Sequence, residues 1–250
     1  MILASITPGQ AALLFFGGII AGVVNAVAGG GSAITLPILT EITDATIANG
    51  TNRIAIMVGA LASVSGYHQG DRVPWRRTLP LIPPAFVGAV TGAYVASQVS
   101  PGSMKKAFAI VLFIVAGSVL IKPSRWITES ERRLGQPWSS LLMFAIGLYG
   151  GFVQAGVGFF LLAGLVFGGG LDLVRANAAK MVLVASYTWV ALLIFIMAGQ
   201  VDFGLGLILA AGNSIGAYSS SRFAVRKGAS WIRWFLIVAA VGAALRMLLT

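Results

Sequence analysis

The sequence contains no cysteine, a single histidine and only seven acidic residues among its 250 positions. The missing cysteine excludes disulfides, thiolate nucleophiles and sulfur-ligated metals. The one histidine cannot form an HExxH zinc motif, and the chain contains neither a nucleophile elbow nor a GxGxxG loop after a strand. We therefore expect no cofactor, no metal site and no enzymatic activity.

Charged residues of either sign are also scarce, at 10% of the chain, whereas hydrophobic residues make up 58%. This composition cannot cover a water-soluble surface, and it predicts an integral membrane protein. Six uncharged stretches approach the length of a spanning helix, and the shorter ones would borrow flanking residues. They lie at 54–70, 78–104, 107–121, 181–201 and 203–221, and between Arg233 and Arg246.

The formal net charge of +10 could suggest a nucleic-acid partner, but the basic residues lie in the connections between uncharged stretches. That distribution is typical of the positive-inside rule, so we expect a lipid bilayer as partner and no nucleic acid. The basic loops at 71–77, 122–133 and 222–227 would share the cytoplasmic side. Both termini are then predicted to face the periplasm or exterior, in a bacterial-type inner membrane.

Two further stretches, 1–40 and 134–171, contain no charged residue and carry glycines near their centres. The second stretch is long for one crossing of the bilayer and short for two. We interpret each stretch as a hairpin of short helices that enters the membrane, breaks at the glycines and returns. Such a break is tolerated in a membrane only where protein or a cavity covers the backbone.

The two uncharged stretches resemble each other, which indicates an internal repeat. Asn25 falls on Gln154, and further along Asn52 aligns with Lys180. The glycines that match at a constant offset are Gly18, Gly22 and Gly29 with Gly147, Gly151 and Gly158. The predicted organisation is a first repeat at 1–122, a cytoplasmic linker at 123–137 and a second repeat at 138–250.

Each repeat would contain one broken-helix hairpin of re-entrant type and three transmembrane helices. Because this gives an odd number of crossings per repeat, the second copy must be inverted relative to the first. The predicted fold is an all-α integral membrane protein with two inverted repeats. The small-xxx-small pairs Gly88/Gly92 and Gly212/Gly216 are expected to let helix backbones approach closely.

The glycine clusters also predict a binding site, since discontinuous helices of inverted repeats place substrate near the bilayer midplane. Backbone N–H groups at the broken ends attract an anion. The alternative is that the glycines serve only close packing or chain turning. The candidate binding residues are Asn25, Gly29, Gly30, Gly31, Ser32, Asn52, Arg53, Gln154, Gly156, Gly158 and Lys180.

Arg53 and Lys180 are the cations closest to the predicted breaks, and no acidic residue is expected beside either of them. If their helices enter from opposite faces, both side chains can reach one central point. A cationic site without a carboxylate partner favours an anion. The alternative is that both side chains extend to the nearer lipid headgroups.

Three segments, "AGGGSAITLPIL", "ANGTNRIAIMVGALAS" and "GYHQGDRVPW", resemble the TauE/SafE sulfite-exporter family, also called TSUP. The resemblance implies an inner-membrane carrier of two repeats that moves sulfite, sulfoacetate or a related small sulfur-containing anion, usually outward. The second repeat departs from the family pattern, because it has "QAGVGFF" in place of the triple glycine and no counterpart of Pro37.

The function expected from these observations is a secondary transporter that exports sulfite or a related anion by alternating access. An anion channel of the same fold is the main alternative. A membrane enzyme or assembly factor is a more remote one, because the sequence displays no reactive residue for catalysis.

Overall fold

The computed structural model describes residues 6–119 and 134–228, and every regular element in these two ranges is helical. Residues 120–133 and 229–250 lie outside the described residues, and with them most of the predicted linker and the span between Arg233 and Arg246. The first range holds six helices: α1 (Pro8–Val27), α2 (Ser32–Thr40), α3 (Ala45–His68), α4 (Trp75–Thr78), α5 (Ile82–Ser97) and α6 (Pro101–Val119). The second holds α7 (Gln136–Phe152), α8 (Val157–Ala163), α9 (Leu173–Met197) and α10 (Phe203–Lys227).

Aspartates fix the starts of the two long helices α3 and α9. The Asp44 carboxylate accepts hydrogen bonds from the N–H groups of Thr46 and Ile47, at 2.9 and 3.0 Å. Asp172 accepts from the second and third residues after it at the same two distances. Each side chain thus satisfies N–H groups that have no acceptor within the helix. The two helices therefore begin with the same type of cap.

Both glycine-rich stretches are interrupted between two helices, although α1, with 20 residues, is longer than the short helix predicted there. Residues 28–31 separate α1 from α2, and residues 153–156 separate α7 from α8. Gly29 has a φ of +95° and Gly156 a φ of +74°. Residues with a Cβ atom rarely adopt these angles, so a glycine is needed at each of the two breaks, where the backbone is not helical.

Three helical stretches in the described residues are long and apolar enough to cross a membrane. They are Pro8–Val27, Trp75–Ser97, which joins α4 to α5 through the short 3₁₀ turn Leu79–Leu81, and Leu173–Met197. Helices α3 and α10 have 24 and 25 residues, so they reach the same length. They are less apolar because polar residues such as Arg53 and Asn213 lie within them.

Helices α3 and α9 pack on each other and form the centre of the bundle. Around them, α1 packs along α10, and α5 packs along α7. The buried side chains of α3 and α9 include polar ones such as Asn49, Arg53, Asn177 and Lys180. The middle of the bundle therefore contains polar and charged groups among its apolar side chains.

Glycines allow the closest helix contacts, as the small-xxx-small pairs predicted. A Cβ atom on Gly212 or Gly216 would overlap the backbone carbonyl of Phe15 or Ile19 in α1. On the other side of the bundle, a Cβ on Gly88 would overlap the Phe144 carbonyl in α7. The packing role expected for the two pairs is confirmed.

Candidate functional site

The two helix breaks meet at the centre of the bundle. The backbones of Gly29 and Gly158 are in direct contact, and a Cβ atom added to either glycine would overlap the backbone of the other. Since one glycine follows α1 and the other begins α8, this contact joins the two hairpins. Larger residues at these positions would hold the two breaks apart.

A small cavity lies beside this glycine contact. Its volume is about 20 Å³, which is room for about one water molecule. Apolar side chains of α3 and α9 form much of its wall, and polar groups converge on it from four helix segments. The lining residues are Asn25, Gly29, Ile56, Gly59, Ala60, Gln154, Val157, Gly158, Lys180, Met181, Val184 and Asn213.

Five of the eleven predicted binding residues line this cavity. They are Asn25, Gly29, Gln154, Gly158 and Lys180. They come from both predicted repeats and from positions up to 155 residues apart in sequence. The alignment of Asn25 with Gln154 therefore identified two side chains that share one small space.

Lys180 supplies the positive charge of the cavity. Its side chain is 0% exposed, and its Nζ donates hydrogen bonds to the Asn25 carbonyl at 2.8 Å and to Asn177 Oδ1 at 2.5 Å. An ammonium group has three N–H donors, so one is left over for a ligand. Within the described residues no carboxylate forms an ion pair with Lys180.

Arg53 reaches inward from α3 but lies outside the cavity lining. Its guanidinium donates to the carbonyls of Gly150 and Gly151, at 2.6 and 2.8 Å, and to Gln154 Oε1 at 2.6 Å. The ring of Phe195 lies 5.3 Å from the guanidinium carbon. Arg53 thus occupies the carboxyl end of α7, where unpaired carbonyls concentrate partial negative charge. It supports the cavity through Gln154 and does not line it.

The carboxyl ends of α1 and α7 are capped in corresponding ways. At α1, Lys180 binds the Asn25 carbonyl, and the Tyr67 hydroxyl donates to the Ala26 carbonyl at 2.9 Å. At α7, Arg53 is joined by Asn49, whose side-chain amide donates to the Phe152 carbonyl at 2.9 Å. Each break therefore has a cation and a neutral donor on the carbonyls that helix geometry leaves unpaired.

The alternative of cations that extend to lipid headgroups does not hold for this structure. Arg53 and Lys180 are both 0% exposed, and every hydrogen bond they make is to a group inside the bundle. Neither cation forms an ion pair with a carboxylate in the ranges 6–119 and 134–228, and carbonyl oxygens and helix dipoles stabilise both of them.

The other predicted residues of the first glycine cluster hold α2 in place. The Gly31 N–H donates to Asn25 Oδ1 at 2.8 Å, so this amide is already occupied. The Asn52 side chain donates to Ser32 Oγ at 3.1 Å and accepts from the Thr35 hydroxyl at 2.7 Å. Gly30 packs under the ring of Phe159. None of Gly30, Gly31, Ser32 and Asn52 lines the cavity.

Gly156 also lies outside the cavity lining. Its left-handed conformation turns the chain into α8, directly before Val157 and Gly158. The first N–H groups of that helix have no acceptor within it. Gly156 therefore acts on the cavity by setting the direction of the segment that carries Gly158.

The sequence interpretation missed Asn213, a cavity residue on α10. Its side chain is 1% exposed, and neither its Oδ1 nor its Nδ2 has a hydrogen-bond partner in the part of the chain that the structure describes. Asn25 Nδ2 is likewise buried and unpaired. Asn213 lies between Gly212 and Gly216, whose spacing was assigned to packing alone. An asparagine inside a packing motif is the sequence signal that could have identified it.

A second and larger cavity, with a volume of about 240 Å³, lies at one end of the bundle between α4 and the start of α7. Arg76 and Arg77 lie at its wall, together with Ser139 and several apolar residues. It contains none of the eleven predicted residues and no buried charge. We therefore assign the candidate site to the smaller cavity, where buried unpaired donors surround a cation.

The chain is similar to one known family and to several curated proteins. Residues 14–247 match the family described as sulfite exporter TauE/SafE. No solved structure matches the chain.

Several curated relatives match over nearly the full length of the chain. The probable membrane transporter protein ORF9 of Sinorhizobium sp is 28% identical over 239 residues, which cover 95% of this chain and 92% of that protein. The probable membrane transporter protein YfcA of Escherichia coli (strain K12) is 26% identical, with 93% of this chain and 87% of that protein covered. A probable membrane transporter protein of Haemophilus influenzae is also 26% identical, with 91% and 90% covered.

Proposed function

The chain belongs to the sulfite exporter TauE/SafE family of membrane transporters, and on that premise we propose that it exports sulfite or a related small sulfur-containing anion by alternating access. The observation that carries this proposal is the cavity at the meeting point of two broken helices, where Lys180 is buried with no carboxylate partner among the residues that the structure describes. A buried cation of this kind attracts an anion and disfavours a cation.

The packing of the helices supports an inverted repeat, which alternating access requires in many carriers. In the predicted alignment α1 corresponds to α7, and α5 corresponds to α10. The packing pairs follow this correspondence: α1 packs on α10, and their counterparts α7 and α5 pack on each other. Gly29 and Gly158 correspond in the predicted alignment, and their mutual contact is what a two-fold axis between the repeats would produce.

The size of the cavity favours a carrier over an anion channel. A channel needs a continuous path, whereas this cavity has room for about one water molecule. An oxyanion can enter only after the surrounding helices move. Counterflow separates the two alternatives: uptake of labelled sulfite driven by unlabelled sulfite inside liposomes is expected for a carrier and absent for a channel.

The direct test of the site is Lys180→Met, studied by calorimetry in detergent and by sulfite flux into liposomes. Methionine keeps most of the volume of the lysine stem and removes the charge. Loss of one charged hydrogen-bond donor costs about 1.5–3 kcal/mol, so we expect sulfite affinity to fall about tenfold to hundredfold.

Lys106→Met is the matched control for this test, because Lys106 is an exposed lysine on α6. It should bind and transport sulfite like the parent. Thermal unfolding of each purified variant checks that the fold is intact. If folded Lys180→Met binds sulfite as tightly as the parent, the cavity is not the anion site. If the parent moves no sulfur anion at all, the substrate class is wrong.

The proposed orientation gives a separate prediction, since the chain has no cysteine and each introduced thiol is unique. Arg76 and Lys105 are exposed residues on either side of α5. We expect Arg76→Cys to react with an impermeant maleimide only from the cytoplasmic side, and Lys105→Cys only from the outside. The opposite pattern for both variants would reverse the topology and put the termini in the cytoplasm.

A further inference from the structure

The unpaired side chain of Asn213 is an anomaly in the described residues. A buried amide without hydrogen bonds is destabilising, and most buried polar groups in proteins find a partner. Asn213 is 1% exposed and has no partner for either polar atom. It also lines the cavity that contains Lys180. A ligand in this cavity would give the amide the partner that the protein does not provide.

Helix packing does not explain the asparagine. In the alignment of 88–94 with 212–218, the residue that corresponds to Asn213 is Ala89, which packs fully buried between α5 and α7. An alanine is thus sufficient at this place in the packing motif. On α3, a Cβ atom at Gly59 would overlap Asn213 Oδ1, so a glycine there leaves room for the amide.

The cavity offers both donors and an acceptor. The donors are the third N–H of Lys180 and the unpaired Nδ2 of Asn25. The acceptor is Asn213 Oδ1, because the amide carries a carbonyl oxygen as well as an NH₂ group. Lys180 is the one titratable residue that the structure describes in the cavity lining. Arg53 and Tyr187 lie outside the lining, and both hydrogen-bond to the lining residue Gln154.

We propose that Asn213 contacts the transported anion and accepts a hydrogen bond from its O–H group, so that the site selects a monoprotonated oxyanion. This inference rests on the proposed function and names the protonation state of the substrate. Lys180 and Asn25 bind the charged oxygens, while Asn213 binds the oxygen that carries the proton. A fully deprotonated oxyanion has no donor for Asn213 and carries a second negative charge that one lysine does not balance.

The first test is Asn213→Leu, which keeps a similar volume and removes both polar atoms. Because the amide has no partner among the described residues, the variant should unfold at the same temperature as the parent or higher. Its sulfite affinity, measured by calorimetry at a pH where sulfite is mostly monoprotonated, should fall about tenfold, as expected for one lost hydrogen bond. Thr188→Val is the matched control, since the Thr188 hydroxyl is also buried and unpaired but lies outside the cavity.

The second measurement uses methanesulfonate, an anion with the same single charge as monoprotonated sulfite but no O–H group. The parent and Thr188→Val should prefer sulfite to methanesulfonate about tenfold or more. In Asn213→Leu this preference should shrink toward equality. Equal charge on the two probes means that the protonation state of Lys180 affects both alike.

Three outcomes separate the inference from the proposed function. If the parent binds sulfite and folded Asn213→Leu keeps the same affinity and preference, the inference is wrong and the proposed function stands. If the parent binds hydrogen carbonate, which has one negative charge and one O–H group, instead of sulfite and Asn213→Leu loses that binding, the substrate class is wrong and the role of Asn213 stands. If the parent binds none of these anions, both are overturned.

Discussion

Replacing Gly158 with alanine is expected to abolish sulfite transport and to lower the stability of the protein. The added methyl group would meet the backbone of Gly29, with no flexible side chain between them that could move aside. Overpacking of a well-packed core typically costs about 1–3 kcal/mol. Here the clash would push the two helix breaks apart, so the cavity beside their contact should be lost, and sulfite binding with it. Flux into liposomes and thermal unfolding in detergent measure the two effects.

Two other glycines serve as references for this prediction. Gly102→Ala in α6 adds a methyl group that meets nothing within 4 Å, so transport and stability should be kept or slightly improved. Gly30→Ala should have an intermediate effect, because its methyl group would meet the ring of Phe159, at 2.7 Å, and a ring can shift. Normal transport by Gly158→Ala would show that the contact of the two breaks is dispensable.

Replacing Arg53 with methionine should destabilise the fold more than any other charge removal in the described residues. The guanidinium satisfies the carbonyls of Gly150 and Gly151 and the amide oxygen of Gln154, all inside the bundle. Each buried acceptor that loses its partner costs about 1–3 kcal/mol, so a total on the order of 3–5 kcal/mol is expected. The midpoint of thermal unfolding should fall by about 10 °C.

Arg175→Met is the matched control for Arg53→Met. The Arg175 side chain is 54% exposed and forms an ion pair with Asp172 at 3.6 Å. Exposed ion pairs contribute about 0–1 kcal/mol, so this variant should unfold within a few degrees of the parent. If Arg53→Met proves as stable as Arg175→Met, the carbonyls at the end of α7 have other partners, and Arg53 is free to bind substrate.

The elements of the fold were largely predictable from the sequence because their determinants are local. Glycine clusters marked both helix breaks, and the small-xxx-small pairs marked the closest helix contacts. The inverted orientation and the depth of the breaks in the membrane stay predictions. Length and hydropathy identify three spanning stretches among the described residues. Helices α3 and α10 are not among them because they carry polar side chains on their inward faces.

The site was predictable only in part, because its determinants are not local. Arg53 was assigned to the substrate because the sequence cannot show that its partners are carbonyls 97 and 98 residues away. Every residue has a backbone carbonyl, so the sequence does not show which carbonyls need a partner. A cation without an acidic residue nearby is visible in the sequence. Asn213 was not predicted, because its neighbours Gly212 and Gly216 have an obvious packing role. The polar residue between them was therefore not considered as a binding residue.

The caps on the two helix breaks have a consequence for the order of biosynthesis. The Asn25 carbonyl at the end of α1 is satisfied by Lys180, which is made 155 residues later. The first hairpin therefore emerges from the ribosome with a polar backbone group that the first half of the chain leaves unpaired. A nascent chain that stops before residue 180 lacks the donor that satisfies this carbonyl in the folded protein, so the end of α1 is completed only when the second half of the chain arrives.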